Sequence, residues 1–133
     1  MLYQQDFDIE TTGHGHVQNL THLMADLVRN SGIHRGLFNV FILGSTAAFG
    51  TIEFEPGLEK DLAQLLDRLV PPGQDYGHPE NAHAHLQASL LGPSLTVPIR
   101  DGALCLGPYQ QIVLVECDDK PHDRKIMVTI QGE

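Results

Sequence analysis

Apolar residues follow two different periods along this chain, and the switch between them limits the folds that it can adopt. The three- and four-residue spacing of an amphipathic helix occurs twice, and each helical pattern ends at a stop signal, Gly32 or residues 71–73. The two patterns consist of Leu20, Leu23, Met24, Leu27 and Val28, and of Leu58, Leu62, Leu65, Leu66 and Leu69. Elsewhere the apolar residues form short runs or alternate with polar ones, as they do in strands.

Seven segments carry the strand pattern, and they set the expected fold class. Asp101-Gly102 separates two of them and is typical of a hairpin turn. The predicted strands cover residues 2–11, 36–43, 51–54, 95–99, 103–106, 112–117 and 126–130. Helices in the first half and strands in the second predict an α+β fold with a mainly antiparallel sheet and two to three helices. A length of 133 residues fits a single domain spanning residues 1–133.

The charge balance excludes several classes of partner. Seventeen acidic residues against eight basic ones give a formal net charge of −9. A nucleic-acid binder needs a basic stripe and a protein that docks on anionic membranes needs basic residues, so we expect neither partner. A phosphate-bearing ligand would require a metal ion or a few well-placed cations to offset the acidic field.

The cysteines and the amino terminus indicate a cytoplasmic protein. No apolar run is long enough to cross a bilayer, and the first ten residues lack the character of a signal peptide. Cys105 and Cys117 stand alone in strand-like runs, and we expect both to be reduced and buried.

Three of the eight histidines, His78, His83 and His85, fall within eight positions and are the best pointer to a site. Imidazole is the commonest zinc ligand in proteins and the usual acid or base near neutral pH. Asn81 is a good N-cap, and in a helix that begins there His83 and His85 would diverge by about 200°. In an irregular first turn both could still converge with His78. Two interpretations therefore stand, a metal or catalytic site and a set of polar loop residues.

The remaining histidines fit ordinary surface roles. His14 and His16 are flanked by glycines, and we expect them to be exposed loop residues. His22 and His34 lie on or just past the first helix, and His122 lies in a charged turn.

Polar side chains beside strands are further candidates for chemistry. Glu53 stands in the predicted strand 51–54 and is either part of a solvated face or a general base or metal ligand. Gln110 begins a strand beside an aromatic residue and could line a pocket. The hydroxyls of Ser45, Thr46 and Ser94 could bind an anion together with nearby backbone N–H groups.

An ordered series of motifs covers nearly the whole chain. The segments are GSTAA (44–48), IEFEPGL (52–58), YGH (76–78), NAHAHLQASLLGPS (81–94), LCLGPYQQI (104–112) and VTIQGE (128–133). Together they resemble the YjbQ-like family of small bacterial and archaeal proteins. The resemblance implies an α+β domain that assembles as a homotrimer. It also implies secondary thiamine-phosphate synthase activity, which joins a pyrimidine pyrophosphate to a thiazole phosphate with loss of pyrophosphate.

Two departures from the family pattern bear on the site. Gly44 stands where many members have a histidine, and Tyr109 stands where many have a tryptophan. Members with that histidine often have a small residue at the position of His83. We therefore infer that His83 replaces the missing imidazole, so that His78, His83 and His85 hold one metal ion.

Three functions compete at this stage. The leading hypothesis is an enzyme that uses a divalent metal, zinc or magnesium, on a small phosphorylated metabolite. Glu53 and His85 would act in catalysis with Gln110, and the substrate would contact the three hydroxyls and cations such as Arg100, Arg124 or Lys125. The alternatives are a metal-assisted hydrolase with a three-histidine site, and a non-enzymatic trimeric module that binds a metabolite or metal.

Overall fold

The computed structural model describes all 133 residues and arranges eight strands and three helices in three layers. In chain order the elements are β1 (Leu2–Glu10), β2 (Val17–Asn19), α1 (Thr21–Ser31), β3 (Gly36–Ile42), β4 (Ala47–Ile52), α2 (Pro56–Leu69), α3 (Ala82–Leu91), β5 (Ser94–Arg100), β6 (Ala103–Leu104), β7 (Gln111–Glu116) and β8 (Asp123–Gly132). This confirms the predicted α+β class.

Two antiparallel sheets face each other across the main core. The large sheet has the order β1-β8-β3-β5-β6, and the small sheet has the order β2-β7-β4. Strand β8 shows why the sheets pack, because Ile126, Val128 and Ile130 alternate with more exposed residues and are fully buried. They meet Phe49 and Leu114 from the small sheet in one apolar cluster, which α1 extends at its side.

The other face of the small sheet is covered by α2 and α3. Leu66 of α2 packs there with Ala84 and Ala88 of α3 against Val113 and Val115 of β7. The small side chains of α3 allow the helix to lie close to the sheet. The result is a large sheet, a small sheet and a helical layer, in that order.

One predicted strand covers different residues in the structure, and one strand that was not predicted is present. The predicted strand 51–54 was wrong in its bounds, because β4 covers Ala47–Ile52 and pairs with β7 over that length. Glu53 therefore follows the strand, and Glu55 is the N-cap of α2, where its side chain accepts a hydrogen bond from the Leu58 amide. The added strand is β2, which at three residues is too short to show a period.

The two cysteines differ in their surroundings. Cys117 is buried as expected, and burial together with the Glu116 charge raises the pKa of its thiol to about 12. The expectation for Cys105 was wrong, because it lies exposed just after the short strand β6. None of the helices is both long and apolar enough to cross a membrane.

Candidate functional site

A polar network lies where β7 ends, and the sheet pairing explains why its members meet. β2 pairs with β7, so the 11–16 loop that precedes β2 runs beside residues 116–118. The Gly15 amide donates to the Glu116 carbonyl at 3.0 Å, which fixes this loop against the strand end. The first turn of α3 packs over the same end of the small sheet.

His14, His83 and Asp119 form the tightest group of ligand-type side chains in this network. One donor atom from each lies within 4.8 Å of the others. His83 Nε2 is 2.9 Å from Asp119 Oδ1, and the ring centroids of His14 and His83 are 5.3 Å apart. His83 is only 3% exposed, His14 is half-buried and Asp119 is exposed. The group therefore opens to solvent on one side.

Second contacts hold the His14 ring in place. Its Nδ1 donates to the Cys117 carbonyl at 2.8 Å, and its Nε2 lies 2.7 Å from Asp67 Oδ1. Gln87 Nε2 donates to the same Asp67 oxygen at 2.9 Å, which fixes the carboxylate. Burial lowers the pKa of His14, but the hydrogen bonds to Cys117 and Asp67 outweigh it, so the pKa is raised above its ordinary value.

The predicted convergence of His78, His83 and His85 is wrong. α3 begins at Ala82, so the helix turns His83 and His85 in different directions, and only His83 joins His14 and Asp119. His85 instead packs edge-on against His78, with ring centroids 5.1 Å apart. His78 Nε2 lies 3.1 Å from Asn81 Oδ1, whereas no hydrogen bond occupies the ring of His85.

The buried Asp118 carboxylate contacts three other residues of the network. Its carboxylate lies 2.6 Å from His122 Nε2 and accepts from Asn81 Nδ2 at 3.2 Å and from the Asp119 amide at 2.8 Å. Burial alone would raise the pKa of Asp118, but these hydrogen bonds outweigh it and lower the pKa to about 2.

This depressed pKa predicts a pH-dependent contribution to stability. Because the folded-state pKa of Asp118 lies below its unfolded value, its contribution is present above about pH 4 and is lost as the pH falls toward 2. Asp118→Asn should therefore be less stable than the wild type at pH 6, and the gap should narrow toward pH 2.5. Urea unfolding of both proteins at the two pH values measures it, and a constant gap would contradict the expectation.

Arg124 was predicted to counter phosphate charge, but the structure uses its guanidinium internally. It forms a buried ion pair with Glu116, its Nε donating to Oε1 at 2.8 Å, and its Nη2 donates to Thr46 Oγ1 at 2.7 Å. Thr46, another predicted substrate contact, is buried in the same network. Position 44 lies beside Arg124, because a side chain added at Gly44 would start 3.1 Å from Arg124 Nη1. His83 lies beside His14 and Asp119 instead.

Two predicted catalytic residues lie at the opposite end of the small sheet. The register of β4 and β7 runs from Ala47↔Glu116 to Ile52↔Gln111, a span of about 17 Å. Glu53 follows Ile52 and is exposed. Gln110 is also exposed and donates to Thr51 Oγ1 at 3.2 Å. Neither residue adjoins the group formed by His14, His83 and Asp119.

The remaining predicted contacts are dispersed. Ser45 is exposed before β4, and Ser94 is half-buried at the start of β5. Arg100 is exposed at the end of β5, and Lys125 of β8 pairs with Asp8 at 3.3 Å on the outer face of the large sheet.

Sequence reasoning missed His14, Asp67 and Asp119 as members of the network. The expectation that His14 is an exposed loop residue was wrong, because the β2–β7 pairing carries the loop against Cys117. One signal was available, since Asp118-Asp119 directly follows an apolar strand pattern, which is where a strand end presents polar side chains.

The fold and the network define a small antiparallel α+β protein with a histidine–carboxylate group at one end of its inner sheet. The chain belongs to the YjbQ-like family, since the family described as UPF0047 protein YjbQ-like matches residues 5–133. This confirms the resemblance.

Relatives and solved structures agree with this placement. A UPF0047 protein of Methanothermobacter thermautotrophicus is 36% identical over 99% of this chain and 94% of its own length. The UPF0047 protein YjbQ of Salmonella typhimurium is 32% identical over 84% of this chain and 88% of its own length. A YbjQ-like protein of unknown function from Sulfolobus solfataricus has a TM-score of 0.91 at 34% identity, covering 100% of both chains. A hypothetical protein from Aeropyrum pernix has a TM-score of 0.92 at 30% identity, covering 98% of this chain and 99% of its own.

Proposed function

We propose that this protein is a metal-dependent enzyme that acts on phosphorylated small molecules, with the metal held by His14, His83 and Asp119. The observation that carries the proposal is the approach of these three donor atoms to within 4.8 Å of one another. Around a tetrahedral ion with bonds of about 2.0–2.1 Å, ligand atoms lie about 3.3 Å apart. His83 Nε2 and Asp119 Oδ1, 2.9 Å apart, already lie within that spacing. The site revises the predicted set of His78, His83 and His85.

The donor set favours zinc over magnesium. Magnesium prefers oxygen ligands in octahedral geometry, whereas two imidazoles and a carboxylate suit zinc. The Cys117 carbonyl holds His14 Nδ1 as an outer-shell contact would, and His14 Nε2 would exchange its 2.7 Å contact with Asp67 Oδ1 for the metal ion. Three protein ligands leave a fourth position, where a zinc ion would activate water or polarise a phosphate oxygen.

Two reaction classes fit such a site. Transfer with loss of pyrophosphate, as in thiamine-phosphate synthesis, is supported by the family resemblance. Hydrolysis of a phosphate ester is supported by the open side of the site, where Asp119 is exposed. We retain His85 as a candidate acid or base because its ring nitrogens are free, and we place Glu53 and Gln110 outside this site.

One set of assays separates these reactions. Zinc-loaded protein is incubated with the pyrimidine pyrophosphate and the thiazole phosphate, and separately with a panel of phosphate monoesters. Thiamine phosphate formation supports the transferase, and phosphate release supports the hydrolase. Absence of both products, or of zinc binding, overturns the enzyme proposal and leaves a non-enzymatic module.

We also propose a homotrimer, supported by the exposed apolar residues on the outer face of the large sheet. Leu2, Gln131, Leu37 and Pro98 stand in one cross-strand row, and Leu37 is 51% exposed. Phe41 lies on the same face and is 43% exposed. Exposed apolar patches of this kind mark association surfaces.

Light scattering at micromolar concentration should therefore give about three times the 14.6 kDa of one chain. Leu37→Glu combined with Phe41→Glu should shift the protein to a monomer, because two charges cannot be buried unpaired in an interface. A wild-type mass of a single chain would contradict the trimer.

A further inference from the structure

The two ring nitrogens of His14 face different acceptors, and this decides which of them can bind a metal ion. Nδ1 contacts the carbonyl of the buried Cys117 at 2.8 Å, and Nε2 contacts Asp67 Oδ1 at 2.7 Å. In a metal-binding histidine, the nitrogen opposite a fixed backbone contact is the one that takes the ion. An ion at His14 would therefore lie on the side of the ring that Asp67 now faces.

The Asp67 carboxylate is held in this position by α3. Gln87 is 1% exposed, and its Nε2 donates to Asp67 Oδ1 at 2.9 Å and to the Val70 carbonyl at 3.1 Å. Both protons of the Gln87 amide are thus used at the end of α2. Because Gln87 stands one turn after His83 on α3, the helix that supplies a metal ligand also fixes Asp67.

Asp67 stands at an open side of the site. Its side chain is 38% exposed and that of His14 is 25% exposed, and both line a cleft of about 430 Å³ between α2 and the 11–16 loop. Asp67 is not one of the three donors that lie within 4.8 Å of one another. It therefore lies beside the metal group, in space that solvent can enter, and outside the set of ligands.

We infer that Asp67 positions the water molecule that occupies the fourth position of the metal ion. His14 Nε2 exchanges its contact with Asp67 Oδ1 for the ion, and the carboxylate, still held by Gln87, then accepts a hydrogen bond from the water. The inference rests on the proposed function and names a positioning residue for it. It favours hydrolysis over transfer, because the water on the ion is the nucleophile in a metal-assisted hydrolysis.

The test measures how tightly azide, which displaces water from a metal ion, binds to the protein loaded with Co²⁺ as a coloured substitute for zinc. Asp67→Asn should bind azide about tenfold more tightly than the wild type, because the carboxylate no longer repels the anion and the amide can donate to it. The visible absorption of Co²⁺ should keep its intensity, since no ligand is lost.

Asp61→Asn is the matched control for this measurement. It removes an exposed carboxylate from the same helix, beside a different hollow, so it changes the net charge equally. Its affinity for azide should equal that of the wild type.

Equal azide affinity in the wild type and Asp67→Asn would overturn the inference. An equal gain in Asp61→Asn would also overturn it, because the effect would then belong to the general negative charge. A changed intensity of Co²⁺ absorption in Asp67→Asn would overturn it by showing that Asp67 is a direct ligand. Failure of the wild type to bind Co²⁺ and zinc would refute the proposed function itself, so the two failures are distinguishable.

Discussion

Replacing His83 with alanine should lower the affinity of the protein for zinc by more than about 100-fold. Loss of an outer-shell partner costs roughly 10–100-fold in metal affinity, and loss of a direct ligand should cost more. His83 is 3% exposed and its Nε2 lies 2.9 Å from Asp119 Oδ1, so alanine at this position would leave two of the three donor groups. Competition with a chromophoric chelator at pH 7.5 gives the dissociation constants. Circular dichroism verifies that the variant is folded.

Two further histidine variants separate the structural site from the one that the sequence predicts. His14→Ala should lose zinc as His83→Ala does, whereas His85→Ala should keep it, because His85 packs against His78 and outside the group. His22→Ala, at an exposed position of α1, is the surface control. Zinc lost from His85→Ala but kept by His14→Ala would restore the sequence-based site and refute the one proposed from the structure.

The parts of the fold that sequence could predict depend on local patterns. Helix α1 was confirmed because its apolar spacing and its stop at Gly32, which has a φ of 73°, are both encoded within thirteen residues. The hairpin around Asp101-Gly102 was confirmed for the same reason, since β5 pairs with β6 across it. These features need no knowledge of which strands become neighbours.

The site could not be predicted in the same way, because it is assembled from distant segments. His14 and His83 are 69 positions apart and meet only because β2 pairs with β7 while α3 covers the small sheet. The local histidine cluster was misleading, since a helix beginning at Ala82 separates side chains two positions apart. Arg124 was likewise read as a free cation, because its buried partner Glu116 belongs to another strand.

The ion pair between Arg124 and Glu116 is the interaction whose loss should most reduce the stability of the fold. Arg124→Met would leave the fully buried Glu116 carboxylate without its cation, and breaking such a pair costs about 3–5 kcal/mol. Thr11 and the Asp118 amide also donate to this carboxylate, so it is held in place and cannot turn toward solvent. Urea unfolding at pH 7 measures the loss.

Two further variants test whether the unpaired buried charge causes the loss of stability. Arg124→Met combined with Glu116→Gln should recover much of the lost stability, because no charge then remains buried while the amide can still pair with its hydroxyl and amide neighbours. Lys125→Met, at the next position but exposed, should leave the unfolding midpoint nearly unchanged. If Arg124→Met unfolds at the midpoint of Lys125→Met, the ion pair does not stabilise the fold.

Loss of the ion pair between Arg124 and Glu116 should also weaken the metal site. Glu116 accepts from the Asp118 amide at 3.1 Å, and Asp118 in turn accepts from the Asp119 amide. Without Arg124 the Glu116 carboxylate keeps only the hydrogen bonds from Thr11 and the Asp118 amide, so the chain that carries the Asp119 ligand is less firmly positioned. Arg124→Met should therefore weaken zinc binding even under conditions where the variant is fully folded, and Lys125→Met should not. An unchanged zinc affinity in folded Arg124→Met would show that Asp119 is positioned without help from the buried pair.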